Sequence, residues 1–172
     1  MPSLMPDLVK RVQRLPKPTR TSEALQPLFE AISNAIHAVQ EKFKDKVSEK
    51  GKIEVLVATK RDKSNPVRIT VEDNGPGLDR KNYEAFLTTD TDNKMAIGGK
   101  GVGRLLWLDC FEDIHVETHY MEGGSLHYRR FDFRLANENQ IVNLKEGAVT
   151  KPLTTGMSIA FKGLRNNSYA EK

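Results

Sequence analysis

The stretch VRITVEDNGPG, residues 67–77, decides the fold of this 172-residue chain. Its apolar residues alternate with polar ones, which predicts a half-buried β-strand that ends at Asp73. A carboxylate at a strand end can accept the exocyclic amine of adenine, and Gly75 and Gly77 allow a sharp turn and close approach of a ligand. An ordinary tight turn is the alternative interpretation of the same residues.

The sequence on either side of this strand predicts a layered domain. Residues 52–60 alternate in the same way, and a polar turn containing Asn65-Pro66 joins them to the strand as a hairpin. The other expected elements are strands at residues 113–120, 125–135 and 157–162 and helices at residues 27–44 and 104–109. This order predicts the α+β class, with helices over a mainly antiparallel sheet.

The first long helix is expected to begin at Pro27, because the fixed φ of proline suits the first helical position. Its apolar stripe consists of Leu28, Ile32, Ile36, Val39 and Phe43. The opposite face consists of Glu30, Asn34, His37 and Glu41. Glu30 and Asn34 lie one turn apart, so the carboxylate can polarise a water while the amide oxygen coordinates Mg²⁺. A solvated helix face is the alternative.

A glycine loop precedes the helix expected at residues 104–109. Gly98, Gly101 and Gly103 leave the backbone free of side chains, so consecutive N–H groups can point at phosphate oxygens near a helix N-terminus. The spacing is neither a Walker A loop nor a Gly-x-Gly-x-x-Gly within a βαβ unit. A flexible linker is the alternative explanation.

Composition excludes several classes of protein. Hydrophobic residues make up 38% and charged residues 29% of the chain, which is typical of one folded domain. Cys110 is the only cysteine, so it cannot form an internal disulfide or a cysteine-based zinc site, and we expect it to be buried. No apolar run is long enough to cross a bilayer, which predicts a cytoplasmic protein. The net charge of +4 is too small and too dispersed to support nucleic-acid binding.

Together the three motifs resemble the N box, G1 box and G2 box of the GHKL superfamily of DNA gyrase, the heat-shock-ninety chaperone, histidine kinases and MutL. The resemblance covers roughly residues 27–108 and is nearer the hydrolysing members than the histidine kinases. It implies a Bergerat-type fold, a two-layer sandwich of helices on a mainly antiparallel mixed sheet. It also implies the cofactors ATP and Mg²⁺.

The same resemblance assigns roles to residues. Glu30 would be the catalytic general base, Asn34 the Mg²⁺ ligand and Asp73 the adenine-reading acid, and residues 86–97 would form a lid. The residues implied to bind the nucleotide are Asn34, Asp73, Gly75, Gly77, Lys94, Gly98, Lys100, Gly101, Val102, Gly103 and Thr155. Among these, Lys94 and Lys100 are also explained as surface lysines.

Two positions depart from the family pattern. His37 stands where members often carry Asp three residues after the metal-binding Asn. Near the last strand the family commonly has Gly-Thr, with the hydroxyl joining the adenine-binding acid, whereas this chain has Thr155-Gly156-Met157. Thr155 therefore either substitutes from a neighbouring position or the contact is absent.

These observations predict Mg-dependent ATP binding and slow hydrolysis, coupled to lid closure and ATP-dependent homodimerisation. The alternatives are a histidine-kinase catalytic domain and a non-hydrolysing, nucleotide-gated interaction module. We expect an N-terminal arm at residues 1–26, the ATP-binding domain at 27–165 and a polar tail or linker at 166–172. The arm is expected to be extended, with one short helical turn. A following domain or a partner is expected to supply a Lys or Arg to the phosphates.

Overall fold

The computed structural model describes residues 7–58, 68–88, 103–151, 153–165 and 169. These residues form a six-stranded sheet in the order β1-β2-β6-β3-β4-β5, in which every described pair is antiparallel. The strands are β1 (Ile53–Ala58), β2 (Arg68–Asp73), β3 (Phe111–Glu122), β4 (Ser125–Phe133), β5 (Ile141–Ala148) and β6 (Gly156–Leu164). The predicted hairpin is the β1–β2 pair, and the α+β class is confirmed.

The helices are α1 (Leu8–Gln13), α2 (Thr21–Ala24), α3 (Gln26–Phe43), α4 (Val47–Lys50), α5 (Arg80–Leu87) and α6 (Gly103–Cys110), with a 3₁₀ turn at Lys44–Lys46. They pack on one face of the sheet. The strand registers place Val71, Ile159, Val116 and Phe131 in one row on that face, and all four belong to the buried core. The opposite face carries polar side chains, so the domain has two layers.

The sequence did not predict α5 or β5. Helix α5, RKNYEAFL, is only eight residues long, too short for a clear helical period, and it begins where the Asp79 carboxylate accepts the Asn82 N–H at 2.8 Å. Strand β5 is an edge strand with an irregular pairing to β4 between Arg130 and Asp132, so its apolar residues do not alternate cleanly.

The apolar stripe predicted for α3 is partly wrong. The fully buried residues of α3 are Pro27, Ala31, Ala35 and Val39, whereas Ile36 is 41% exposed. The small alanine side chains let α3 approach α6 closely. A stripe defined by large apolar residues does not include these alanines, so the sequence pattern did not reveal this buried face. The indole N–H of Trp107 on α6 donates to the Pro27 carbonyl at 2.8 Å and fixes this packing. The predicted polar face of α3 therefore turns toward the neighbouring helix α5 and the turn after β2.

The segment before Pro27 is packed more closely than the expected extended arm. It contains α1 and α2, and Val12 of α1 is only 1% exposed within the core. Lys17 forms an ion pair with buried Asp109, and the Tyr169 hydroxyl donates to the other oxygen of Asp109 at 2.9 Å. Residues from both the expected arm and the expected tail thus contact the end of α6.

Cys110 lies beside Asp109 and is 2% exposed, which confirms the expected burial. Desolvation, with a smaller contribution from the Asp109 charge, raises the pKa of the Cys110 thiol to about 12.

In the described part of the chain, no helix combines the length and the apolar character needed to span a bilayer.

Candidate functional site

A cavity of about 200 Å³ opens between α3, α5, α6 and the turn that follows β2. Its wall includes Asn34, His37, Asp73, Gly77, Arg104 and Met157. Two of the three sequence motifs therefore meet at one cavity, since Asn34 belongs to the first and Asp73 to the second.

Asp73 is the last residue of β2, and it pairs with Met157 at the start of β6. Its Oδ1 accepts the Gly75 N–H at 2.8 Å. Burial raises the pKa of the Asp73 carboxyl to about 6, although N–H donation from Gly75 and Met157 and the nearby Lys42 charge oppose this shift. A partly desolvated acceptor of this kind is suited to a ligand amine.

Both glycines of the turn after Asp73 are required by close contacts. Gly77 has φ +77°, a conformation that residues with a side chain rarely adopt, and a Cβ there would collide with the His119 carbonyl. A Cβ on Gly75 would come within 2.7 Å of the Ala38 Cβ. The turn therefore packs against α3 and β3. These contacts hold the Asp73 carboxylate at the cavity wall.

Glu30 lies at the other end of the site. A Cβ built on Gly103 would collide with the Glu30 carboxylate, so this side chain packs directly against the first residue of α6. Asn34, one turn further along α3, lines the cavity. The first motif consequently connects the start of α6 to the cavity that contains Asp73.

Most of the glycine loop falls outside the described residues. Lys94, Gly98, Lys100, Gly101 and Val102 are not described, and only Gly103 of that loop can be placed. Of the expected lid, residues 86–88 are described. The roles predicted for the undescribed residues of the glycine loop and the lid stay predictions.

The Thr155 hydroxyl donates to the turn after Asp73 and not to the Asp73 carboxylate. It donates to the Gly75 carbonyl at 2.7 Å, and a hydroxyl has only one hydrogen to donate. The Thr155 hydroxyl therefore supports the turn that carries the acid, while Met157 occupies the position paired with Asp73.

Comparison with protein families now identifies the chain. The family model described as histidine kinase-, DNA gyrase B- and HSP90-like ATPase matches residues 21–143, more than half of the sequence. The chain belongs to this family. Comparison with curated proteins gives no significant match. The protein therefore contains a GHKL-type ATP-binding domain, and the two-layer fold agrees with that assignment.

The family match ends before β6. Thr155 and Met157, where this GHKL domain departs from the expected pattern, lie outside the matched residues.

The sequence did not indicate three basic residues that shape the site, and Lys42 is the first. Its ammonium donates to the Asn74 carbonyl at 2.6 Å and to the Thr155 hydroxyl at 2.8 Å. An exposed lysine on a helix has no sequence signal that distinguishes it from other surface lysines, and Thr155 is 113 residues away.

Arg104 and Arg129 are the other two. Arg104 follows Gly103 and donates to the carbonyls of Ala85, Phe86 and Thr88, so it ties the end of α5 to the start of α6. Burial lowers the pKa of Arg104 to about 10, so it remains charged at neutral pH. Arg129 donates to the Leu78 carbonyl at 2.6 Å, stacks on the Tyr83 ring and forms an ion pair with Glu146.

A buried threonine also fixes the turn. The Thr118 hydroxyl of β3 accepts the Leu78 N–H and donates to the Gly156 carbonyl, each at 2.9 Å. Thr118 is fully buried, so neither bond competes with water. It joins the turn after Asp73 to the first residue of β6.

The residues at the cavity suit a nucleotide-borne Mg²⁺. Among the described residues, no cluster of three His, Cys, Asp or Glu side chains could hold a metal. Mg²⁺ commonly takes few protein ligands and completes its shell with phosphate oxygens and water. The Asn34 amide, one turn from the Glu30 carboxylate, is a donor set of that type.

Proposed function

We propose that this domain binds ATP with Mg²⁺ in the cavity at Asp73 and hydrolyses it slowly, with Glu30 as the general base. The observation that carries the proposal is the position of α3. This helix presents Asn34 to the cavity at Asp73 and Glu30 to the first residue of α6. One rigid helix thus links the base end of the site to the phosphate end.

The base end would select adenine. Asp73 would accept the exocyclic amine, and Gly75 and Gly77 would let the ring approach the backbone of the turn. Met157 contributes an apolar wall to the same cavity, which suits the face of an aromatic base.

The phosphate end would neutralise charge. Asn34 would hold Mg²⁺, which would shield the phosphate oxygens, and the N-terminus of α6 would face them. Glu30 would accept a proton from the attacking water, because its carboxylate lies next to that N-terminus.

We also propose that residues 86–97 close over the nucleotide and that the closed form dimerises. Light scattering with a nonhydrolysable ATP analogue would then show a doubled mass.

A carboxylate swap tests the hydrolytic role. Glu30→Gln is expected to leave ATP affinity within about threefold and to reduce phosphate release by about 100-fold or more, since it removes only the base. Glu41→Gln is the matched control, because Glu41 lines the cavity from the same helix. Hydrolysis by Glu30→Gln at the wild-type rate would show that Glu30 is not the base.

A further inference from the structure

Lys42 completes a ring of hydrogen bonds around the turn that follows Asp73. Its ammonium donates to the Asn74 carbonyl at 2.6 Å and to the Thr155 hydroxyl at 2.8 Å. Thr155 donates in turn to the Gly75 carbonyl at 2.7 Å, and the Gly75 N–H donates to Asp73 at 2.8 Å. The ring connects α3, the turn and the segment before β6.

We propose that Lys42 and Thr155 are positioning residues for base recognition, which hold the Asp73 carboxylate in its ionised form at the cavity wall. This inference rests on the proposed function, because it concerns how the same site recognises the amine of adenine. Neither residue needs to touch the base. Lys42 acts through its charge and through the turn, and Thr155 fixes the carbonyl of Gly75.

The physical need for a cation follows from the burial of Asp73. Burial raises the pKa of this carboxyl to about 6, and the charge of Lys42 opposes the rise. Asp73 also accepts a backbone N–H, so its ionised form is stabilised from two directions. A neutral carboxyl group would accept the amine of adenine less strongly than a carboxylate.

Other charged or titratable groups line the two cavities that meet at Asp73. They are His37 and Glu41 on α3, Arg104 on α6, Glu72 on β2, and Glu117 and His119 on β3. Lys42 differs from these groups because it hydrogen-bonds to the residue after Asp73. Its removal would take away the nearby positive charge that opposes the rise in the Asp73 pKa, which favours protonation.

The carboxyl group itself provides the first test. Carbon-13 NMR titration of the Asp73 carboxyl in the ligand-free full chain should show a higher pKa in Lys42→Met than in the wild type. Lys42→Arg keeps the charge and should restore the wild-type value. Lys52→Met is the matched control, since it removes an exposed ammonium that pairs with Glu54 and lies outside the ring. An unchanged Asp73 pKa in Lys42→Met would overturn the proposal.

ATP affinity provides the second test. Lys42→Met should weaken ATP binding several-fold more at pH 6 than at pH 8, because loss of the Lys42 charge raises the Asp73 pKa and leaves less of the carboxylate at pH 6. The phosphates of ATP titrate in the same way with both proteins. The ratio of the two dissociation constants therefore reports titration of the protein and not of the ligand. The same ratio at both pH values would contradict a role through Asp73.

Thr155 is tested by removing only its hydroxyl. Thr155→Val should weaken ATP binding about threefold, because it removes the bonds to Gly75 and Lys42, whereas Thr155→Ser should restore it. Equal affinity of Thr155→Val and the wild type would exclude the hydroxyl from positioning. A wild-type protein that binds no ATP would instead overturn the proposed function, whatever the titration of Asp73 shows.

Discussion

The two ends of the cavity are built in different ways. At the base end, Lys42, Thr155 and Arg129 donate hydrogen bonds to the turn after Asp73, Thr118 accepts one from it, and its glycines pack against neighbouring atoms. At the proposed phosphate end, the Glu30 side chain packs against Gly103, and Arg104 ties the start of α6 to the end of α5. Under the proposed function, this hydrogen-bonded turn preorganises base recognition, and the Glu30 carboxylate packed against the start of α6 would serve hydrolysis.

The largest expected effect comes from breaking the base end at Gly77. Gly77→Ala should destabilise the fold by about 3 kcal/mol, because it combines a strained positive φ with a collision against the His119 carbonyl. Gly123→Ala is the matched control, since Gly123 also has positive φ but no atom within 4 Å of an added Cβ. Urea unfolding measures the free energy of unfolding of both variants. Equal losses of stability would mean that the turn does not press on β3.

The phosphate end is expected to respond in rate rather than in stability. Gly103→Ala should push the Glu30 carboxylate aside and lower kcat about tenfold, with a smaller change in ATP affinity. Trp107 is the only tryptophan and lines the cavity, so its fluorescence reports binding while phosphate release reports turnover. An affinity loss as large as the loss of kcat would contradict this division of roles.

The pH dependence sharpens the comparison further. The pKa of Asp73 in the folded protein is about 6, above its ordinary value of 3.8, so the folded state holds this proton more tightly than the unfolded chain. The stability contribution of Asp73 therefore falls as pH rises from about 4 through 6. ATP affinity should change in the opposite direction and weaken several-fold as pH falls below 6. Asp73→Asn should remove this part of the stability profile, which thermal unfolding between pH 4 and 8 would measure.

The smallest effect is expected at His37. His37 lines the cavity on an exposed turn of α3, and it stands where the family often carries an acid. Because the turn after Asp73 is fixed by other residues, His37→Ala should change ATP affinity by less than about threefold. Fluorescence titration of Trp107 measures this change. A tenfold loss would place His37 among the residues that hold the nucleotide.

Strand alternation and helical periodicity predicted those parts of the site that lie on single strands and helices. The alternation of residues 67–73 placed Asp73 at a strand end, and helical periodicity placed Asn34, His37 and Glu41 on one face. The pairing of β1 with β2 followed from the same rule. These features depend on residues that are close in sequence.

Tertiary contacts could not be predicted in this way. The buried face of α3 depends on Ala31 and Ala35, which fit a closely packed helix pair that the sequence alone does not reveal. Lys42 reaches Thr155 across 113 residues, and Arg129 reaches Leu78 across 51. Such contacts arise from the order of strands in the sheet, so the support for Asp73 emerges only from the structure.

Calorimetric titration with ATP and Mg²⁺ tests the central claim most directly. The wild type should bind with measurable heat at pH 8, and Asp73→Asn should bind at least about 100-fold more weakly, because it replaces a charged acceptor at the base. Glu72→Gln, on the adjacent residue of the same strand, should bind as the wild type does. Absence of heat in the wild type, or equal affinity of Asp73→Asn and the wild type, would contradict the account.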